Sequence, residues 1–379
     1  MRKALPALLS IVAVLGLTEA GAAIIYRTVL PEAEQGAIER LIGEASSWQS
    51  ARLRFRSHPY LGYALNPDYV SPDGTRQHSA SGWFRGPDPA RRGGALRVLA
   101  LGGSTTYGVG VERHAEAWPA LLEKELERRL GRDVEVLNAG VPNWTTFELL
   151  GVATLWMPEL APDIVILHIG FNDAFTTGYP DEGGPDNTRY RHAFTYRPPP
   201  GWLVSAMKMS HTARIFLRGY LAEGGLLGDD INAAMMEPRP RVDEQGAHIE
   251  QADGRWFRRN VQTLVALIRR QGGRPIFAPV PLDPVRAHDV RSGPYYLAAF
   301  RATERNARIL NELGEELGVP VVDVSSGLGS GMFLDVAHIE ERGMQVKARA
   351  MADGLVGAGL VEAPARPAPS ADAAGEATR

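Results

Sequence analysis

Ser104 stands in the stretch "VLALGGSTTYGVG", Val98 to Gly110, where an apolar run gives way to two glycines and then to small hydroxyl-bearing residues. A serine at such a corner fits three chemistries: an anion cradle, a plain turn, or a nucleophile held out for attack. Gly102 and Gly103 admit backbone conformations closed to other residues. A helix starting at Ser104 would aim its unpaired N–H groups at a bound anion. The segment lacks the lysine of a phosphate loop and the glycine spacing of a dinucleotide site. A serine nucleophile needs a base. Among nine histidines, His338 is distinguished by "FLDVAHIEERG", where it follows Asp335 by three positions. One helical turn would place the two on a common face. Asp335 could then orient the imidazole and stabilise its protonated form, or cap a helix N-terminus, or both. His168, inside "IVILHIG", reads as a hydrogen-bonded core residue, and His114, His192, His211, His248 and His288 sit in polar or loop contexts. An acyl-transfer intermediate also needs donors for its oxyanion. Gly140, closing "VEVLNAG", should offer a free N–H at a strand end. Asn172, in "GFND", carries a side-chain amide that can donate or cap a loop, and Asp173 beside it reads as a cap.

The elements that must position these residues alternate. "LRVLALGG", "DVEVLNAG", "PDIVILHIG", "RPIFAPVP" and "VPVVDVS" are expected strands. Between and around them, "WPALLEKELERRLG", "TTFELLGVATLWMPEL", "RWFRRNVQTLVALIRRQGG" and "YYLAAFRATERNARILNELGEELG" show helical spacing. Strands alternating with helices imply a parallel sheet covered on both faces, with chemistry collecting at the carboxyl ends of the strands. Residues 174–254 break this rhythm and read as an insertion, with a helix near "SAMKMSHTARIFLRGYL". Its aromatics Tyr179, Tyr190, Tyr196 and Trp202 could stack on sugar rings or form the insertion's own small core.

Composition excludes several classes. The 379 residues are 44% hydrophobic and 22% charged, with net charge −3 and no cysteine. Disulfides, thiolate metal sites and a cysteine nucleophile are therefore ruled out, and nothing points to a nucleic-acid partner. Arg2 and Lys3 precede "ALPALLSIVAVLGLTEAGAAII", long enough to span a bilayer as a helix. Charge ahead of it places the N-terminus in the cytoplasm and the rest outside. Glu19 is costly at the membrane centre but tolerable near the outer interface. A cleavable signal peptide, cut near Ala20-Gly21-Ala22, is the alternative to an uncleaved anchor. The organisation expected is an anchor at 1–28, a membrane-proximal segment at 29–95 and a main domain at 96–360. A disordered Ala/Pro-rich tail at 361–379 completes the chain. "PEAEQGAIERLIGEAS" could form a short helix, and "RGPDPARRGG" resembles a linker just before the main domain.

Taken in order, "GGST", "NAG", "GFND" and "DVAH" resemble the four signature blocks of the SGNH/GDSL hydrolase superfamily, from about Leu96 to Gly354. The resemblance implies a three-layer α/β/α flavodoxin-like fold and metal-free, cofactor-free acyl hydrolysis. It assigns Ser104 as nucleophile, His338 as base and Asp335 as orienter. The Ser104 N–H, the Gly140 N–H and the Asn172 side chain would form the oxyanion hole. The common first block is G-D-S, and here Gly103 replaces the aspartate. Asn143-Trp144 after "NAGVP" is a second departure. The function expected is a membrane-anchored serine esterase acting on O-acyl groups of envelope carbohydrate or lipid. The alternatives are an O-acyltransferase with the same triad, or a non-catalytic envelope-assembly protein that retains the fold.

Overall fold

A computed structural model describes residues 4–31, 35, 38–39, 54–58, 60–71, 73–90, 93–187, 190, 201–223, 242–287 and 293–362. The short helix expected over 31–46 falls mostly outside these residues. So do Arg2, Lys3, His192, Tyr196, His288 and the tail from 363.

The chain opens with α1 (Ala4–Thr28), of which Ser10–Thr28 is long and apolar enough to cross a membrane. A hairpin follows, β1 (Phe55–His58) antiparallel to β2 (Gly62–Leu65). The central sheet contains β3 (Leu96–Gly102), β4 (Val134–Gly140), β5 (Ile164–His168) and β6 (Arg274–Phe277), all parallel, in the order β4-β3-β5-β6. Around it lie α2 (Ser104–Tyr107), α3 (Trp118–Leu130), α4 (Thr146–Leu155) and α5 (Phe171–Thr176). The later helices are α6 (Gly201–Met209), α7 (His211–Glu223), α8 (Val242–Gln251), α9 (Arg255–Arg270), α10 (Gly293–Leu317) and α11 (Glu341–Gly357). The expected α/β fold with a parallel sheet is the observed one.

Alternation along β3 explains the layering. Leu99 and Leu101 point to one face, where they join Leu149 of α4, Val261 and Leu264 of α9 and Leu310 of α10. Val98 and Ala100 point to the other, against Trp118 and Leu122 of α3 and Met351 of α11. Strands buried on both faces have no polar side, hence their continuous apolar sequence. The run "VPVVDVS" departs from expectation. It meets β6 only through a bridge at Val321, where Phe277 N donates to the Pro320 carbonyl and Val322 N to the Phe277 carbonyl. Pro320 has no N–H to extend the ladder.

Residues ahead of the sheet share its core: Leu61, Tyr63, Leu65, Trp83 and Phe84 belong to the same cluster as Leu99 and Leu149. Arg85 opens the stretch that reads as a linker, yet it is 4% exposed. Its N–H donates to the Asn138 carbonyl. Its guanidinium donates to the carbonyls of Tyr107, Gly108, Val111 and Glu112 and lies 4.3 Å from the Tyr107 ring centroid. Four carbonyls on one buried guanidinium fix the loop that follows α2, the helix that begins at Ser104.

Candidate active site

The register sets the site. Gly102 pairs with Gly140 on one side and His168 on the other, so β3, β4 and β5 end level with one another. Ser104 begins α2 immediately beyond β3, and its N–H makes no backbone hydrogen bond among the described residues. Thr105, next in α2, is held by its carbonyl, which accepts from Trp118 Nε1 at 3.0 Å and from Lys347 Nζ at 3.3 Å.

Asp335 and His338 come from the loop before α11. Sequence spacing suggested a helical turn, but the segment is a bend, closed by the Phe333–Ile339 bridge and a Leu334 N–H bond to the His338 carbonyl. Asp335 Oδ1 accepts from the N–H groups of Ala337 and His338 at 2.9 and 2.8 Å. The aspartate therefore caps its own loop, not a helix, and presents Oδ2 to the imidazole. His338 Nδ1 lies 2.7 Å from Asp335 Oδ2, and His338 Nε2 lies 2.7 Å from Ser104 Oγ. An acceptor-only carboxylate requires the Nδ1 proton, so Nε2 is left to accept from the serine hydroxyl. Partial burial acts to raise the Asp335 carboxyl. The hydrogen bond and charge of His338, with the two backbone N–H groups, outweigh it and hold the group down at about 2.

Asn172 lies in the first turn of α5, and its Nδ2 donates to the Trp144 carbonyl at 2.8 Å. The amide's second N–H remains available beside Ser104 in a pocket of 10 Å³ lined by Gly103, Ser104, Trp144, Phe171 and Val280 among others. Gly103, which stands where the first block commonly has aspartate, packs directly against this amide. A Cβ built there would stand 2.3 Å from Asn172 Nδ2, a separation that no packed pair of atoms adopts, so Asn172 occupies the space a side chain at 103 would need. We therefore expect Gly103→Ala to push the amide aside and lower kcat by about 10²–10³, as loss of one oxyanion donor does, with KM little changed. Asn172→Ala should match it, and the double variant should be no worse than either. A Gly103→Ala enzyme with normal kcat in steady-state kinetics would contradict this placement.

Gly140 requires a correction. Its N–H, expected to be free, donates to Asn138 Oδ1 at 3.0 Å. The glycine is required by packing instead: a Cβ there would lie 2.2 Å from Tyr107 N in α2. Asn143, three positions on and already noted as a departure, is exposed and adopts φ 63°, a region that Asn is among the few residues to tolerate. Asp173 is a cap, as expected: its Oδ1 accepts from Thr146 N and Thr146 Oγ1 at 3.0 and 2.6 Å, at the start of α4. Burial pushes its carboxyl up to about 6 against those bonds.

His168 is fully buried, as its apolar strand suggested. Its Nδ1 donates to the Ala278 carbonyl at 2.7 Å, leaving Nε2 to accept from Lys347 Nζ at 2.6 Å. Burial, then the nearby lysine, push the imidazole well below the ordinary histidine range, with the Ala278 bond opposing. Burial also pushes the Lys347 ammonium down to about 7. Lys347 lies far along the chain in α11, and no local pattern marks it. Of the insertion's aromatics, Tyr179 is 7% exposed and packs edge-on against Tyr190, with centroids 5.5 Å apart; this is core, not a sugar platform.

A search of curated proteins returned no match. Solved structures resemble the chain at low identity. A lipase/acylhydrolase from Enterococcus faecalis is 17% identical with a TM-score of 0.41, over 70% of this chain and 97% of that one. A putative lipolytic protein of the G-D-S-L family from Desulfitobacterium hafniense DCB-2 is 14% identical with a TM-score of 0.40, over 69% and 99%. A catalytic mutant of an acetylxylan esterase from Geobacillus stearothermophilus is 14% identical with a TM-score of 0.39, over 70% and 96%. The family model is more direct. It matches residues 100–346, running from the strand before Ser104 to the helix after His338. The chain thus belongs to the GDSL-like lipase/acylhydrolase family.

Proposed function

We propose that Ser104, His338 and Asp335 form a catalytic triad that cleaves esters by acyl transfer to Ser104. The observation that carries this reading is the unbroken chain Ser104 Oγ–His338 Nε2 and His338 Nδ1–Asp335 Oδ2, 2.7 Å at each link. As Ser104 Oγ attacks the ester carbonyl, its proton passes to His338 Nε2. Asp335, ionised, holds the imidazole in this tautomer and offsets its new charge. The oxyanion is stabilised by the Ser104 N–H and the Asn172 amide. The Gly140 N–H is already donated to Asn138 Oδ1, so the proposed oxyanion hole rests on the Ser104 N–H and the Asn172 amide. His338 then protonates the leaving alcohol, and water activated by the same imidazole releases the acid.

We infer a short acyl group from the bulk of Trp144, Phe171 and Val280, which line the pocket beside Ser104. The substrates proposed are O-acyl groups on envelope carbohydrate or lipid, with α1 as a membrane anchor and the hydrolase domain on the outer side. The folded unit includes the residues from about 60 onward that share its core. With a panel of p-nitrophenyl esters, kcat/KM for the acetate should exceed that for the octanoate at least tenfold. A preference for the long chain would overturn the short-acyl assignment, and absence of turnover across the panel would overturn the esterase reading.

A further inference from the structure

The helices α6 and α7 of the insertion lie against α1. Glu19, the one acidic residue in α1, directs its carboxylate at the start of α7. It accepts from Ser210 Oγ at 2.7 Å, Thr212 Oγ1 at 2.9 Å, Thr212 N at 3.2 Å and the His211 N–H, with His211 Nδ1 at 3.1 Å. Further along, the Tyr26 ring meets His211 edge-on and lies under the Arg214 guanidinium. The contact on α7 thus advances as α1 does. Tyr26, Leu30, Leu203 and Met207 close a small core between the three helices.

The pair leaves large apolar side chains outside, with Lys208 exposed beside Met209 and long enough to reach toward the interface along its apolar stem. Met209 is 81% exposed, Phe216 79% and Trp202 65%. On α1, Leu17 and Ile24 are exposed as well, and so is Val29 just beyond it. Water disfavours such a surface, whereas lipid does not. Depth agrees. Glu19 lies fifteen positions after Ala4, or about 22 Å along a helix, within a hydrocarbon core of about 30 Å. A bare carboxylate at that depth is costly, and so are the unpaired N–H groups that open a helix. Each supplies what the other lacks.

We propose that α6–α7 is a hairpin embedded in the outer leaflet of the bilayer, seated on α1 through Glu19, with its Met209–Ser210 tip pointing into the acyl chains. Trp202, at the end of α6 away from that tip, takes the interfacial level where tryptophan concentrates. The hydrolase domain is then held at the membrane by two segments instead of one. This rests on the reading of α1 as a membrane-spanning anchor, and the test separates the two.

The chain has no cysteine, so single substitutions give unique labels. Full-length Met209→Cys, Phe216→Cys, Leu15→Cys and Asn311→Cys proteins would carry an environment-sensitive fluorophore in phosphatidylcholine–phosphatidylglycerol vesicles, with and without doxyl-labelled lipid. Asn311 is exposed on α10, in the catalytic domain. Emission at positions 209, 216 and 15 should fall at least twofold with doxyl lipid, and at 311 should not change. Adding Glu19→Ala to the Met209→Cys protein should relieve quenching there, while the same change in the Leu15→Cys protein leaves its quenching intact. Quenching at 15 with none at 209 and 216 would overturn the hairpin and leave the anchor standing. No quenching at 15 would overturn the anchor, and the hairpin with it.

Discussion

Ser104→Ala should lower kcat for ester hydrolysis by about 10⁶-fold, the scale on which removal of a triad serine acts. The hydroxyl is the only atom removed, and its partner is His338 Nε2. The residue is 8% exposed in a segment held by Arg85, Trp118 and Lys347 through backbone carbonyls that the substitution leaves in place. Thermal unfolding should therefore move little while turnover vanishes. Residual activity near 10³–10⁴ above water is expected, because the oxyanion donors and binding contacts remain. Activity within tenfold of the parent enzyme would show that another residue carries the acyl group.

His338→Ala should be about as severe, since Ser104 then has no proton acceptor. The double variant Ser104→Ala/His338→Ala should be no worse than either single one, because the two residues act as a unit. The pH profile gives an independent check. Asp335 is held at about 2 by its bonds to the His338 ring and to two backbone N–H groups against the opposing effect of burial. It is thus ionised over the whole working range and contributes no break of its own. The imidazole must be neutral to take the serine proton. On the acid side kcat/KM should fall with a single limb, about tenfold per pH unit, and recover as pH rises. Steady-state kinetics across that range measure it. A flat profile far into acid would remove His338 as base, and two acid breaks would mean that Asp335 titrates with it.

Much of this site was readable before the fold was. β3 and β5 announce themselves as apolar runs because both faces are buried, and Ser104 and Asn172 follow at their ends because parallel strands place their loops along one edge. Asp335 and His338 were legible by spacing, although the bend that joins them was not, since a three-residue interval suits a helix and a capped loop alike. Other features depend on contacts between distant segments. Arg85 reads as part of a linker because nothing nearby tells that its guanidinium will meet four carbonyls after α2. Gly140 reads as a free donor because the Asn138 side chain that occupies its N–H is invisible in a strand pattern. Lys347 reads as one more polar helical residue, yet it is buried on His168 and on the turn that carries Ser104. The Pro320–Val324 run shows the reverse error, in which apolar β-branched residues promise a strand that achieves one bridge.

Covalent trapping decides whether Ser104 is the nucleophile. A serine-directed phosphonate ester incubated with the full-length protein, followed by intact-mass measurement and peptide mapping, should show one adduct per chain, on the peptide containing Ser104. Its formation should track the loss of esterase activity, and Ser104→Ala should take up none. Stoichiometric adduct on a different residue, or full turnover persisting in a protein whose Ser104 is already modified, would rule Ser104 out as the nucleophile.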